Sequence, residues 1–428
     1  MAAATAWRTL IEAAPRTAKP FGVLDVGSQK LCCHLVRLDG RGGVELLGAG
    51  HQAADGFTAG EITDAAAAEA AIRAVVDEAE RSADERLDEI AVVYAGGELT
   101  SGYVRVEVAI DRRPVQRRDV AMALRHAAQN AAAEGFAIVH AIPLGESLDG
   151  GPEVRDATGL VAKRLLVRAH LVGVRERPLR QLAACLERSH LRLATVFAAP
   201  YAAALGTVHR EEAERGVLVV DCGARTTTLA VLQQQRLQYV ASVPQGAAHL
   251  ADEIAARLDV SQATAERLKN LESTVAWRAY EAFDAVEIQP VGAVSAADTI
   301  EVSRRRLAEI LRPLSEAVFG AVREELRRAP AEAQMAARRG VVLTGGGAQQ
   351  EGIVELAAEM LGGGARLGRP EILANWQDPP FAAASGAIAL AVGDDGGVGF
   401  QPARRAAGPL ARPFESFGQW LRESLGVT

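Results

Sequence analysis

A chain of 428 residues exceeds what one hydrophobic core comfortably organises, so two or more domains are expected. Hydrophobic residues at 49% against 24% charged exclude a largely disordered chain, and an aromatic share of only 4% argues against reading nucleic acid by base stacking. The net charge of −7 supplies no general basic footprint for a phosphate backbone, and the four cysteines, Cys32, Cys33, Cys185 and Cys222, follow neither metal-site nor disulfide-framework spacing.

The first twenty residues lack the apolar run of a secretory signal and are expected to form a flexible arm. After Pro20, FGVLDVGSQKLCCHLVRL reads as a β-hairpin, two apolar runs around a polar turn that contains Gly27. ITDAAAAEAAIRAVVDEAERS has helical spacing and strong helix formers, and the short strand IAVVYAG follows it. From Ser101 to Val174 the pattern changes to long alternating strands around one helix, RRDVAMALRHAAQNAAA, which reads as an inserted subdomain. A helix near Pro178–Arg188, the strand LRLATVF and the segment APYAAALG return the chain to the first domain.

About two hundred residues after the first hairpin, GVLVVDCGARTTTLAVL repeats its layout, with Asp221 answering Asp25 and Gly223 answering Gly27. Either hairpin alone is an ordinary buried element; the pair suggests a duplication with two related α/β domains facing each other. HLADEIAARL, SQATAERLKNLES and the long VSRRRLAEILRPLSEAVFGAVREELRR are helices around a strand-rich excursion at DAVEIQPVG. In the last of them Leu307, Ile310, Leu311, Leu314 and Val318 should face inward, with Arg305, Glu309, Arg312 and Glu316 outside. RGVVLTGGGAQQEG then gives a strand and three glycines before another helix, a turn in which backbone N–H groups can approach an anion closely. The longest apolar stretch, Phe381 to Val392, is too short to span a bilayer. Residues 394–412 have linker composition, and 413–428 read as a short amphipathic helix with Phe414, Phe417, Trp420, Leu421 and Leu425 on one face.

In order and spacing these motifs resemble the actin-like ATPases and, within them, the FtsA family of bacterial cell division proteins. The likeness runs from Gly22 to Val392 and takes in the terminal helix. It rests on LDVGSQK and VVDCGARTT as two phosphate loops, VVLTGGGAQQEG as an adenosine motif, QGAAHLADEIA, SQATAERLK and PPFAAASGAIAL. The resemblance implies an α/β fold of the actin-like, ribonuclease H-like kind: two duplicated domains, an FtsA-type inserted subdomain (SHS2-like) and a C-terminal amphipathic helix. Domain I would be 21–100 with 175–215, the insertion 101–174, domain II 216–250 with 331–393, and its smaller lobe 251–330.

By the same resemblance the cofactors are ATP and Mg2+. Gly27, Ser28, Gln29, Lys30, Gly223, Thr226 and Gly246 would meet the phosphates, Glu266 and Lys269 the ribose and base, and Gly345, Gly346 and Gly347 would pass under the adenosine. Asp25 and Asp221 would face the metal from opposite sides, as suits an ion that keeps its waters and takes one or two carboxylates. The bland readings are a solvated turn lysine for Lys30 and an ordinary i,i+3 surface pair for Glu266 and Lys269. In the second loop Ala224 and Arg225 stand where the family commonly has glycines, and Thr228 stands in place of a closing acid. Ala199 occupies the position where chaperone relatives carry Glu. No catalytic residue is assigned, and nucleotide binding with slow turnover is expected.

The resemblance also implies partners. Arg304, Arg305 and Arg306 would pair with the acidic C-terminal tail of the tubulin-like FtsZ, the insertion would contact neighbouring protomers and later division proteins, and the terminal helix would meet membrane lipid; no nucleic-acid partner is expected. The place of action would be the cytoplasmic face of the inner membrane at the division septum, where the protein would tether FtsZ filaments and polymerise. Two alternatives stand beside this: a PilM-like pilus-assembly scaffold, and an actin-fold small-molecule kinase.

Overall fold

The computed structural model describes residues 19–392 except 39–42, 97, 132–134, 277–284, 293–298 and 373–375, together with the backbone of Val398 and Gly399. The chain opens with β1 (Phe21–Val26), β2 (Lys30–Leu38) and β3 (Val44–Ala53), a meander whose apolar runs are buried on both faces. A small ladder, β4 (Phe57–Thr58) with β5 (Glu61–Ile62), leads into α1 (Ala65–Ala83). Asp64 caps that helix by accepting from the Ala66 and Ala67 amides, and Ile72, Val75 and Val76 on its buried face join the core that also holds Leu24, Leu31 and Leu35. β6 (Glu89–Tyr94) then pairs parallel to β1.

The insertion consists of β7 (Leu99–Pro114), α2 (Arg117–Asn130), β8 (Phe136–Leu148), β9 (Glu153–Val154) and β10 (Val161–Arg175). Its own core joins Ile110, Val120, Leu124, Leu165 and Val167, the periodicity-two face of the strands meeting the periodicity-3.6 stripe of α2. α3 (Glu176–Arg188) and β11 (Arg192–Ala198) restore domain I, and α4 (Ala199–Thr207) and α5 (Arg210–Arg215) cross toward the second half.

Domain II begins with β12 (Val217–Cys222), β13 (Thr227–Gln233), β14 (Arg236–Val243) and α6 (Ala248–Leu258). Its smaller lobe holds α7 (Gln262–Glu272), the ribbon β15 (Ala285–Ile288) with β16 (Ile300–Ser303), and α8 (Arg304–Arg328). α9 (Ala331–Ala337), β17 (Val341–Thr344), a 3-10 turn at Gly346–Gln349, α10 (Ile353–Leu361) and β18 (Ala365–Leu367) complete the sheet. A 3-10 turn at Pro379–Phe381 starts α11 (Ala382–Val392), and β19 (Val398–Gly399) ends the described chain.

The duplication is visible in strand order. The first sheet runs β11-β6-β1-β2-β3 and the second β18-β17-β12-β13-β14, each with a parallel pair at β1–β6 or β12–β17 and an antiparallel hairpin beside it. Registers agree as well: Asp25 lies across from Cys32 and Val93, Asp221 across from Thr228 and Thr344. Between the sheets α4 and α11 cross with their backbones in contact. A Cβ on Gly386 would stand 1.7 Å from the Ala202 carbonyl oxygen, and one on Gly206 would stand 2.2 Å from that of Ala382.

The insertion also touches domain II. Ser101 Oγ bonds both the N–H and the C=O of Val240 (2.9 Å each), Tyr103 donates its hydroxyl proton to the Gln238 carbonyl (2.7 Å), and buried His170 bonds the Leu237 carbonyl (3.0 Å). The edge of β14 is thus covered rather than left open.

Three expectations need correcting. In α8 the buried positions beyond Leu311 are Ser315, Phe319 and Val322, while Leu314 and Val318 are only half-buried; Pro313 lies within the helix where the stripe departs from the expected one. Arg312, expected outside, is only 16% exposed and pairs with Glu316 and Glu359. Val398 and Gly399, inside the expected linker, pair antiparallel with Ala141 and His140, because the β8 edge offers backbone hydrogen bonds that need no apolar side chain. The N-terminal arm and the terminal helix, with Phe414, Phe417, Trp420, Leu421 and Leu425, lie outside the described residues.

Candidate functional site

Each duplicated hairpin ends in a turn closed by the same bond. The Gly27 N–H donates to the Lys30 carbonyl at 3.2 Å and the Gly223 N–H to the Thr226 carbonyl at 3.1 Å. A Cβ would lie 2.7 Å from the oxygen in the first turn and 2.6 Å in the second, so neither turn closes this tightly around a side chain. Gly246 fastens the second turn to the start of α6: its own Cβ would meet the Gly223 oxygen at 2.6 Å, and the Ala247 and Ala248 amides donate to Gly223 and Ala224 at 2.9 and 2.7 Å. Ala224 and Arg225, in place of glycines, therefore do not prevent the turn from forming.

The third motif abuts the second. Gly345 has φ +83°, and a Cβ there would stand 2.2 Å from Asp221 Oδ1; a Cβ on Gly346 would meet nothing within 4 Å. Gly347 and Gly246 border a shallow recess, open to solvent, whose wall includes Leu250, Val318, Phe319 and Ser315, so a mostly apolar surface adjoins the glycine turn.

Asp25 and Asp221 lie half-buried, in equivalent registers of the two sheets. Burial pushes Asp25 up to about 6, with the Lys30 ammonium pulling it back, and pushes Asp221 up to about 7, with the Asp25 charge adding to the rise. The Asp25 charge opposes ionisation of Asp221, an opposition that a bound cation would relieve. Thr228, across from Asp221, adds a buried hydroxyl with no hydrogen-bond partner among the described residues. No group of three or more His, Cys, Asp or Glu side chains suited to a metal occurs among the described residues. Two acids, a spare hydroxyl and open turns fit a hard ion that keeps waters and shares a phosphate, rather than an ion held in an all-protein cage.

From the smaller lobe, Glu266 and Lys269 form the i,i+3 ion pair that the bland reading anticipates. Glu266 also accepts from Gln29 Nε2 at 3.2 Å, a bond between residues 237 positions apart that ties the first turn to the lobe across the cleft. The structure thus gathers Asp25, Gly27–Lys30, Asp221, Gly223, Gly246, Glu266 and Gly345–Gly347 around one cleft.

Arg304–Arg306 belong to the start of α8. Arg304 is held by Glu272 (2.6 Å) and Glu351 (3.3 Å), while Arg305 and Arg306 share Glu309 and are 75% and 53% exposed. Ala199 is buried at the first position of α4. Sequence reasoning missed two participants. Thr228 is in sequence only a lost acid, and Pro379–Phe381, quoted only as the start of the motif PPFAAASGAIAL, run with Trp376 beside both Lys30 and Gly345.

Comparison with known proteins agrees across the chain. The family model "Cell division protein FtsA" matches residues 218–386, and "SHS2 domain inserted in FTSA" matches 96–173. Curated proteins named cell division protein FtsA are 31% identical over 423 residues in Agrobacterium fabrum, covering 94% of both chains, and 24% identical over 354 residues in Escherichia coli K12, covering 81% and 83%. Among solved structures, the PilM-PilN type IV pilus biogenesis complex aligns with TM-score 0.61 at 18% identity over 88% of this chain and 99% of the other. MreB5 of Spiroplasma citri bound to ADP aligns with TM-score 0.54 at 14% over 87% and 96%. At such identities these two establish the fold, which is actin-like.

Proposed function

The chain belongs to the FtsA family of bacterial cell division proteins, and from that premise we propose that it is a nucleotide-binding adaptor that couples FtsZ filaments to the inner membrane. The observation that carries the nucleotide half is the facing pair Asp25 and Asp221, each on a glycine turn and each raised by burial, with repulsion between them adding to the rise at Asp221. Magnesium, when bound, would supply positive charge to offset these acids and a triphosphate. The chain's own residues bind and orient. Asp25, Asp221 and Thr228 would hold the ion and its waters, and the turns at Gly27 and Gly223 would bring backbone amides to the phosphates. Lys30 would add a point charge.

Glu266 and Lys269 would meet ribose and base, a reading supported by the Gln29–Glu266 bond, which joins the smaller lobe to the first turn. Hydrolysis is slow on this reading. Ala199 offers no group to orient a water, an assistance worth roughly 10²- to 10⁴-fold where present. ATP then acts as a structural ligand that favours polymerisation.

The adaptor half rests on two parts of the chain. Arg305 and Arg306, exposed on α8, suit an acidic peptide such as the FtsZ tail, and the amphipathic pattern of 413–428 suits a lipid surface. Among the described residues no helix is long and apolar enough to cross a membrane. The inserted subdomain would serve neighbouring protomers and later division proteins. Membership of the FtsA family favours this reading over the pilus scaffold and the kinase. The test of the nucleotide half is calorimetry: magnesium-dependent ATP binding by the wild type, lost in Asp221→Ala. Equal heats for the two proteins would count decisively against it.

A further inference from the structure

Between the two domains runs a strap, Trp376–Phe381, that joins β18 of domain II to α11. Its domain II anchor is backbone and hydroxyl: the Pro379 carbonyl accepts from the Gly345 amide at 3.2 Å and from Thr344 Oγ1 at 3.0 Å. Its domain I anchor is aromatic. Trp376 stacks on His51 with centroids 4.7 Å apart and planes within 3°, and meets His34 edge-on at 5.0 Å. Phe381 stands edge-on to Trp376 at 4.6 Å and to His51 at 5.6 Å, so its plane is fixed by its neighbours.

The free face of that ring carries Lys30. The ammonium lies 4.3 Å from the Phe381 centroid, within the range of a cation–π contact. His34 is fully buried with neither ring nitrogen partnered among the described residues, and burial pushes it down to about 3. His51 is lowered too, by burial first and by Lys30 second, so the wall beside the ammonium is aromatic and uncharged near neutral pH. Lys30 is half-buried at the start of β2, where its charge also faces Asp25 and its ammonium meets the Cys32 thiol, and its long side chain still has torsions to immobilise before it can serve a phosphate.

We infer that Phe381 is a positioning residue for nucleotide binding: its ring holds the Lys30 ammonium in place, facing the cleft, before the terminal phosphate of a nucleoside triphosphate arrives. This rests on the nucleotide reading given above. The ring takes one side of the ammonium and leaves its other N–H donors for phosphate oxygens. Affinity gained this way comes from lost side-chain freedom, not from a new contact with the ligand. Because the strap is fastened to Gly345 as well, the lysine of domain I is held in register with the glycine turn of domain II.

The experiment is calorimetry of the full chain with Mg-ATP and with Mg-ADP, on wild type, Phe381→Leu, Phe381→Tyr, Lys30→Met and the double variant Lys30→Met/Phe381→Leu. Phe381→Leu keeps an apolar group of similar size and removes the π face, and is expected to weaken Mg-ATP about two- to fivefold, the size of a partly exposed cation–π contact. Phe381→Tyr should restore wild-type affinity. Mg-ADP should respond less, and in the Lys30→Met background the leucine substitution should have no further effect. Equal ATP affinity in Phe381→Leu, or the same loss with Lys30 absent, would overturn the inference while leaving nucleotide binding intact. A wild type that binds no Mg-ATP would overturn both. Thermal melts of each variant exclude general unfolding as the cause of a loss.

Discussion

Replacing Asp221 with Asn should have two effects of opposite sign, one on stability and one on binding. In the folded chain this carboxyl titrates near 7, against a reference of 3.8, because burial and the Asp25 charge both oppose its ionisation. Between pH 4 and 7 the folded protein therefore holds a proton that the unfolded chain has released. Its contribution to unfolding free energy falls as pH rises through that window and is flat above it. At 1.36 kcal/mol for each tenfold change in proton affinity, ionising Asp221 at pH 8 costs the metal-free fold about 4 kcal/mol as an upper figure. An Asn cannot ionise, but its buried amide needs partners of its own, so a net gain of about 1 to 3 kcal/mol is expected at pH 8 and little gain at pH 4. Thermal unfolding without magnesium, wild type beside Asp221→Asn at several pH values, reads this as a melting-temperature difference that widens from pH 4 to 8. The same variant should lose at least about tenfold in Mg-ATP affinity, and magnesium should stabilise only the wild type. A variant less stable than wild type at pH 8, or a difference that does not change with pH, would refute the idea that Asp221 is held ionised at a cost in order to meet a cation.

Gly386→Ala should be severely destabilising in chemical denaturation, by about 3 kcal/mol or more, since its methyl would overlap the Ala202 carbonyl at the α4–α11 crossing; a loss under about 1 kcal/mol would mean the helices separate easily. Arg305→Glu with Arg306→Glu should abolish binding of an acidic FtsZ-tail peptide at low ionic strength without lowering the melting temperature. Arg304→Glu should lower it, because Arg304 is already engaged by Glu272 and Glu351. For the terminal segment, vesicle co-sedimentation of the full chain should exceed that of a chain ending at Gly408 and of Trp420→Glu. Each large apolar side chain contributes up to about 1.5 to 3 kcal/mol on full insertion, and equal pelleting of all three proteins would remove the membrane assignment.

Local sequence already determined much of this protein. Alternating and near-continuous apolar runs specify β1, β2, β12 and β13, because a sheet covered on both faces needs them; the Asp-x-Gly turns at 25–27 and 221–223 mark the duplication; and three glycines after β17 mark a backbone that must pass close to something. These are signals within a few residues of one another. Tertiary structure decided what no local period encodes. It placed Gln29 against Glu266 and Lys30 on the face of Phe381, contacts between distant parts of the chain. It turned the inward side of α8 from Leu314 and Val318 toward Ser315 and Phe319, drew Arg312 from the expected outward row into an ion pair with Glu359 of α10, and engaged Arg304 with Glu272 and Glu351. It also set the insertion against the β14 edge through Ser101, Tyr103 and His170, which in the sequence are only ordinary strand residues. Periodicity states which face of an element is apolar; which partner covers that face, and which cation meets which carboxylate or ring, depends on how the elements close on one another in space.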